Sequence, residues 1–202
     1  MLKVAKDKFT LGLELPTDPR WTYIAQKNLK DILVDHAYCE QKAASSCISL
    51  IIQYPEHDKL VETLAPIVRE EWGHFERVIA ELKKRGYALG PQRKDEYVDE
   101  LMKFMIKGRS RELHLVEKLL LNALIEARSC ERFKVLWKTI PDQELAEFYH
   151  ELMISEAGHY KTFLHLAKEY LSEDVVMKRW EEWLEHEAHI MKQLELRGDR
   201  IH

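Results

Sequence analysis

The chain has 202 residues, of which 46% are hydrophobic and 33% charged, with only seven Gly and six Pro. That is enough apolar material for one core without staples, and so little turn-forming residue reads as a helical protein. The 31 Lys and Arg nearly balance 35 Asp and Glu, leaving a formal charge of -4, which excludes a strongly basic nucleic-acid sleeve and an acidic disordered tail.

Turn signals divide the chain into long helical stretches. The first is predicted from Trp21 to Gln53, ending at Tyr54-Pro55, and the second from Glu56 to Arg85, ending at Gly86. A linker from Tyr87 to Gly108 carries a short amphipathic piece around Tyr97, Val98, Leu101, Met102, Phe104 and Met105. The third helix is predicted from Ser110 to Trp137. Thr139-x-x-Asp142, with Pro141 inside, reads as a capping box opening a fourth that runs to Tyr170. Ser172, followed by Glu173 and Asp174, suits the start of a fifth helix ending before Gly198 and packing on the outside through Trp180, Trp183, Leu184 and Met191. Short connections make the first and second helices antiparallel neighbours, and likewise the third and fourth. The long linker can cross the length of a bundle. The expected fold is therefore all-α: a single domain over residues 1–202, built as a four-helix bundle with one long crossover and an additional C-terminal helix.

Cys39, Cys47 and Cys130 are an odd set without Cys-x-x-Cys spacing. They offer neither a disulfide framework nor a zinc-ribbon or rubredoxin-type site, and they suit a reducing cytoplasm. The apolar runs are only a few residues long, so no membrane segment is expected. The first residues carry an acid and lack a continuous apolar run, which argues against a signal peptide.

Bundle proteins hold paired metal ions with one Glu from each of two helices and Glu-x-x-His from each of the other two. Glu-x-x-His occurs here at Glu71/His74, Glu147/His150 and Glu156/His159. Helical phase separates them. At about 100° per residue, Glu156 shares a face with Leu145, Tyr149, Leu152, Phe163 and Ala167, with His159 at its border. Glu147 points to the opposite side with Glu151, Lys161 and His165, so Glu147/His150 reads as a solvated pair. Glu71 lies on the stripe of Leu60, Leu64, Ile67, Val78 and Leu82, again with its His at the border. In the first helix Glu40 sits among Leu29, Leu33, His36, Ala44, Cys47 and Ile51. In the third, Glu126 sits among Leu115, Leu119, Asn122, Cys130, Phe133 and Trp137.

One core carboxylate can be satisfied by an Arg. Four, each mid-helix in an apolar stripe, cannot go without compensation, because a buried carboxylate without partners is penalised by several kcal/mol. Two divalent cations remove that penalty, since four carboxylates match their charge and each ion gains one imidazole. The spacing repeats: Glu40 to Glu71 is 31 residues and Glu126 to Glu156 is 30, so two hairpins each donate Glu and then Glu-x-x-His. The expected ligands are Glu40, Glu71, His74, Glu126, Glu156 and His159. His36 and Asn122 each precede a ligand Glu by four residues, as hydrogen-bond partners to it or as ordinary core polar groups. His186 and His189, among Glu182, Glu185 and Glu187, read as a solvated face. Cys47 and Cys130 read as small hydrophobes. A carboxylate-rich donor set suits iron in dioxygen chemistry.

The words around these ligands are Asp35-His36-Ala37-Tyr38-Cys39-Glu40-Gln41-Lys42-Ala43-Ala44, Arg69-Glu70-Glu71-Trp72-Gly73-His74-Phe75-Glu76, Ile125-Glu126-Ala127-Arg128-Ser129-Cys130-Glu131-Arg132-Phe133 and Ser155-Glu156-Ala157-Gly158-His159-Tyr160. Together they resemble the tRNA 2-methylthio-N6-isopentenyladenosine hydroxylases, the MiaE family, across Trp21 to Tyr170. The resemblance implies a ferritin-like bundle whose non-haem di-iron centre, on the six residues above, activates O2. It would hydroxylate the isopentenyl group of a modified adenosine beside the tRNA anticodon. Without a flavin or nicotinamide motif in the chain, the electrons would come from a separate reductase. The rival reading is a ferritin-like or rubrerythrin-like iron oxidase or peroxidase not acting on RNA; the missing Cys-x-x-Cys iron domain argues against the rubrerythrin type. Candidate phosphate contacts are Lys83-Lys84-Arg85, Arg93-Lys94 and Lys107-x-Arg109-x-Arg111, which also read as ordinary helix-end charges. Setting the four ligand acids aside leaves equal numbers of acids and bases, so RNA recognition would have to come from a local patch.

Overall fold

A computed structural model describes residues 10–108 and 110–201, and among them every regular element is helical. A single 3-10 turn, Thr10–Gly12, precedes seven helices: α1 Pro19–Lys27, α2 Leu29–Gln53, α3 Asp58–Lys84, α4 Glu96–Phe104, α5 Arg111–Thr139, α6 Gln143–Tyr170 and α7 Glu173–Gln193. The hairpin α2/α3 packs on the hairpin α5/α6, and the crossover between them contains α4. α7 lies across α4, α5 and α6. No described helix is long and apolar enough to cross a membrane.

Two boundaries differ from expectation for local reasons. The predicted first helix is broken at Asn28 (φ -118°, ψ 36°), whose side-chain amide donates to the Ile24 carbonyl at 2.8 Å. A side chain that bonds the backbone offers the chain an alternative to continuing the helix. The proposed capping box does not form, because Thr139 is still inside α5 and donates to the Val135 carbonyl at 2.7 Å. The cap of α6 is Asp142 alone, accepting from the Glu144 and Leu145 amides. α3 stops as expected: Gly86 takes φ +72°, and the Gly86 and Tyr87 amides donate back to the Lys83 and Leu82 carbonyls, a glycine-terminated cap.

The core consists of two apolar clusters along the bundle. One gathers Cys47, Leu50, Leu60, Leu64, Leu119 and Phe163; the other gathers Leu33, Ala37, Val78, Phe133, Tyr149 and Leu152. In each of the four long helices the glutamate stripe passes from one cluster to the other at the acid. The acids therefore share one layer in mid-bundle.

α5 is buried on nearly every side, since the other hairpin covers one face and α7 with the N-terminal segment covers another. Its second face carries an ionic network. Arg128, fully buried, donates to Glu187 of α7 (2.8 Å from Nε), to Glu131 (3.2 Å) and to the Leu15 carbonyl (3.1 Å). Glu131 also accepts from the Thr17 amide at 3.0 Å. This corrects the reading of the α7 polar face: His189 is exposed, but Glu187 is fully buried and His186 stacks on Phe104 with ring centroids 4.1 Å apart.

Candidate metal centre

Glu40, Glu71, His74, Glu126, Glu156 and His159 are all buried and all meet in the central layer. They form two overlapping groups, Glu40-Glu71-His74-Glu156 and Glu71-Glu126-Glu156-His159, each with ligand atoms within 4.8 Å of one another. Glu71 and Glu156 belong to both. Glu71 turns Oε2 toward His74 Nδ1 (3.7 Å) and Oε1 toward His159 Nδ1 (2.6 Å); Glu156 turns Oε1 toward His74 Nδ1 (3.5 Å) and Oε2 toward His159 Nδ1 (3.1 Å). Two central carboxylates thus lie between two imidazoles, with Glu40 completing the His74 side and Glu126 the His159 side. The arrangement has the twofold character that the repeated hairpin spacing predicts.

The donor set fits divalent cations. Both oxygens of Glu71 and Oε1 of Glu156 are buried without a hydrogen bond, as is His74 Nδ1; the short Glu71–His159 contact lacks hydrogen-bond direction. Orphaned buried carboxylate oxygens are costly, and a cation between them supplies the missing partner. The electrostatics show the same crowding. Burial, reinforced by the charges of Glu156 and Glu71, pushes the Glu126 carboxyl well above the usual range. Burial opposes charge on His74, yet the Glu40 and Glu71 carboxylates push its imidazole up to about 10. Burial also pushes Glu40 up, but the hydrogen bond from His36 and the nearby His74 imidazole outweigh it and hold that carboxyl below its ordinary value.

The supporting residues divide differently from expectation. His36 contacts Glu40 Oε1 through Nε2 at 2.6 Å, inside a cage of Phe133, Phe148 and Tyr149. Asn122 does not bond Glu126; its Oδ1 accepts from Ser46 Oγ at 3.0 Å, leaving Nδ2 buried without a partner. Glu70, which phase analysis passed over, holds His159 Nε2 at 2.8 Å and so fixes which ring nitrogen faces the layer. Its position next to Glu71 is a weak signal, because adjacent helical residues diverge by about 100°. Glu147/His150 stays on the outside, with Glu147 mostly exposed. Burial pushes the Cys47 and Cys130 thiols up to about 12, so both remain protonated packing groups.

A cavity of about 270 Å³ opens onto this layer. Glu40, Glu126 and Glu156 form its inner end; Leu50, Val98, Met102, Met105, Leu121 and Ile125 form apolar walls, with Asn122 and Lys118 among the polar groups. It suits an apolar group held beside the carboxylates.

The family described as tRNA-(MS[2]IO[6]A)-hydroxylase (MiaE) matches residues 4–202. A tRNA 2-(methylsulfanyl)-N(6)-isopentenyladenosine(37) hydroxylase of Pseudomonas putida is 41% identical over 159 residues, covering 78% of this chain and 76% of the relative. The Salmonella typhimurium protein of the same name is 29% identical over 213 residues, covering 81% and 77%. Among solved structures, Protein 43 with aldehyde deformylating oxygenase activity from Synechococcus superposes with a TM-score of 0.88 at 33% identity, covering 94% of each chain. The chain shares that ferritin-like fold, and by a match over nearly its whole length it belongs to the tRNA-(MS[2]IO[6]A)-hydroxylase (MiaE) family.

Proposed function

We propose that the chain, acting as one domain in the cytoplasm, is a dioxygen-dependent hydroxylase of the isopentenyl group of 2-methylthio-N6-isopentenyladenosine in tRNA, next to the anticodon. Two iron ions would be held by Glu40, Glu71, His74, Glu126, Glu156 and His159. The observation that carries this reading is the layer of orphaned carboxylates opening onto an apolar cavity, in a chain of this family. The chemistry the metals supply when bound is reductive activation of O2. One oxygen atom enters a C–H bond of the prenyl group and the other leaves as water with two electrons and two protons. The electrons come from a separate donor protein.

The chain's own residues do the rest. Leu50, Val98, Leu121 and Ile125 cover the prenyl group and exclude water; at ~0.8 kcal/mol per buried carbon, five carbons contribute about 4 kcal/mol. An unprenylated adenosine would forgo that, roughly three decades of affinity. The Ser46 bond fixes the Asn122 amide and leaves its Nδ2 donor for a polar atom of the bound nucleoside. His36 and Glu70 hold Glu40 and His159 in place through hydrogen bonds to their outer atoms.

The test is incubation of the iron-loaded protein with isopentenylated tRNA, O2 and a reductant, followed by nucleoside mass spectrometry. The expected product carries one added oxygen atom. No gain with prenylated tRNA, alongside oxidation of iron or peroxide turnover without RNA, would favour the iron-oxidase reading instead.

A further inference from the structure

A second cavity, of about 500 Å³, lies between the segment leading into α1, the start of α4 and the C-terminal tail. Arg132, Arg200, Arg20, Lys192 and Arg197 line it. Arg132 is the unusual member. Its side chain lies over the Trp21 ring at 4.1 Å and is only 4% exposed, and Nε and Nη1 are buried with no hydrogen-bond partner among the described residues. Of the neighbouring acids, Glu131 is engaged by Arg128 and Thr17, and Glu187 by Arg128 through Oε1, with its Oε2 also buried and unpartnered. Burial and the nearby Arg128 charge pull Arg132 down to about 9. A guanidinium stripped of water and left without an anion is strongly penalised, and its planar fork matches phosphate oxygens.

The place of this cavity selects the ligand. Asp95, the N-cap of α4, lines both this cavity and the apolar one beside the carboxylate layer, and its carboxylate is paired with Lys42. The pocket for an apolar group and the pocket holding Arg132 therefore share a wall residue. Asp18 is likewise neutralised by Arg20 at 2.6 Å, while Glu96 and Glu195 are exposed at the rim.

We propose that this cavity is a phosphate-binding site anchored by Arg132, and that it receives a backbone phosphate of the RNA strand whose modified adenosine enters the neighbouring apolar cavity. The assignment rests on the RNA hydroxylase reading. It also adds a basic contact to those expected. Of the charges expected to meet RNA, Lys84 pairs with Glu144, Arg85 with Glu81 and Asp142, Arg93 with Asp31 and Asp199, Lys94 with Asp99, and Arg111 with Glu56; Lys83 and Lys107 are exposed, and Arg109 lies outside the described residues.

The test measures binding of an unprenylated RNA hairpin to the iron-loaded protein across a salt series. Arg132→Gln is expected to raise Kd about tenfold or more and to reduce the slope of log K against log salt by about 0.7, one single-strand phosphate contact. Arg132→Lys should restore the slope and only part of the affinity. Lys192→Gln, at an exposed position that carries no folding risk, should also reduce the slope, which keeps the test open if Arg132→Gln fails to fold. Inorganic phosphate and adenosine monophosphate are titrated in parallel by thermal shift against chloride of equal ionic strength. Stabilisation by either that is lost in Arg132→Gln, with hairpin binding unchanged, would support a phosphate site but overturn the RNA strand as its source. Unchanged hairpin binding and no anion stabilisation would overturn the site. Hydroxylation by the wild type is scored separately, so failure of the enzymatic reading would leave the phosphate result standing.

Discussion

Replacing Glu187 by Leu removes the carboxylate that meets Arg128 between α7 and α5. Both side chains are fully buried, and the guanidinium donates to Glu187 at 2.8 Å from Nε while the Tyr97 hydroxyl donates to the same oxygen at 3.3 Å. Removing Glu187 leaves buried Arg128 with one carboxylate in place of two, Glu131 at 3.2 Å, and breaking a buried pair costs about 3–5 kcal/mol. For a chain of this size each kcal/mol lowers Tm by about 2–4 °C, so the fall should be about 6–20 °C. Pairing Glu187→Leu with Arg128→Met removes both charges and should recover at least about 1.5 kcal/mol relative to the sum of the single changes. The assay is urea unfolding followed by circular dichroism on the four proteins of the cycle. The network faces α7 rather than the carboxylate layer, so Glu187→Leu should still bind the wild-type number of metal ions in the cold. A loss under about 1 kcal/mol, or strictly additive single changes, would refute the buried-pair reasoning.

Chelation of bound iron should lower Tm in the wild type and have little effect in Glu71→Ala, which lacks a carboxylate common to both groups; Glu147→Ala, on the solvated face, should behave as wild type in the same thermal scan. His36→Ala should weaken metal affinity by about 10- to 100-fold through loss of its bond to Glu40, read by competition with a chelator. Ile125→Trp should fill the apolar cavity and raise KM for prenylated tRNA without reducing metal content, checked by elemental analysis beside kinetics. Asp35 accepts from the Ile201 amide at 2.8 Å, and burial raises its carboxyl above the usual 3.8. Its contribution to stability is therefore full below that value and is lost as pH rises through the raised one. Asp35→Asn should accordingly gain stability relative to wild type between about pH 4 and neutrality, as urea midpoints would show; a relative loss over that range would contradict the burial argument.

The carboxylate layer was legible because each ligand stands on the single apolar stripe of a helix, where a period of 3.6 separates Glu156 from Glu147 without structural knowledge. The same method could not find Arg128, Glu131 or Arg132. α5 is buried on a second face by α7 and the N-terminal segment, and a helix covered on two sides has no polar stripe against which an acid looks misplaced. Glu187 of α7 differs: at about 100° per residue it falls among Trp180, Trp183, Leu184 and Met191, so its burial was legible in the spacing. Asn122 was placed on the right face but given the wrong partner, since its bond to Ser46 crosses between helices and depends on their rotation rather than on spacing. Asn28 breaks the first helix through one local bond that competes with the backbone, a choice that propensity leaves open.

The central claim, that the six-residue layer supports insertion of dioxygen-derived oxygen into a prenyl group, is tested most directly by the origin of the product oxygen. Iron-loaded protein, reductant and isopentenylated tRNA are incubated under isotopically heavy O2 in ordinary water, and the hydroxylated nucleoside is weighed. Heavy label in the new hydroxyl, abolished in Glu71→Ala, is the predicted result. A hydroxyl carrying oxygen from water, or an undiminished yield from Glu71→Ala, would contradict it.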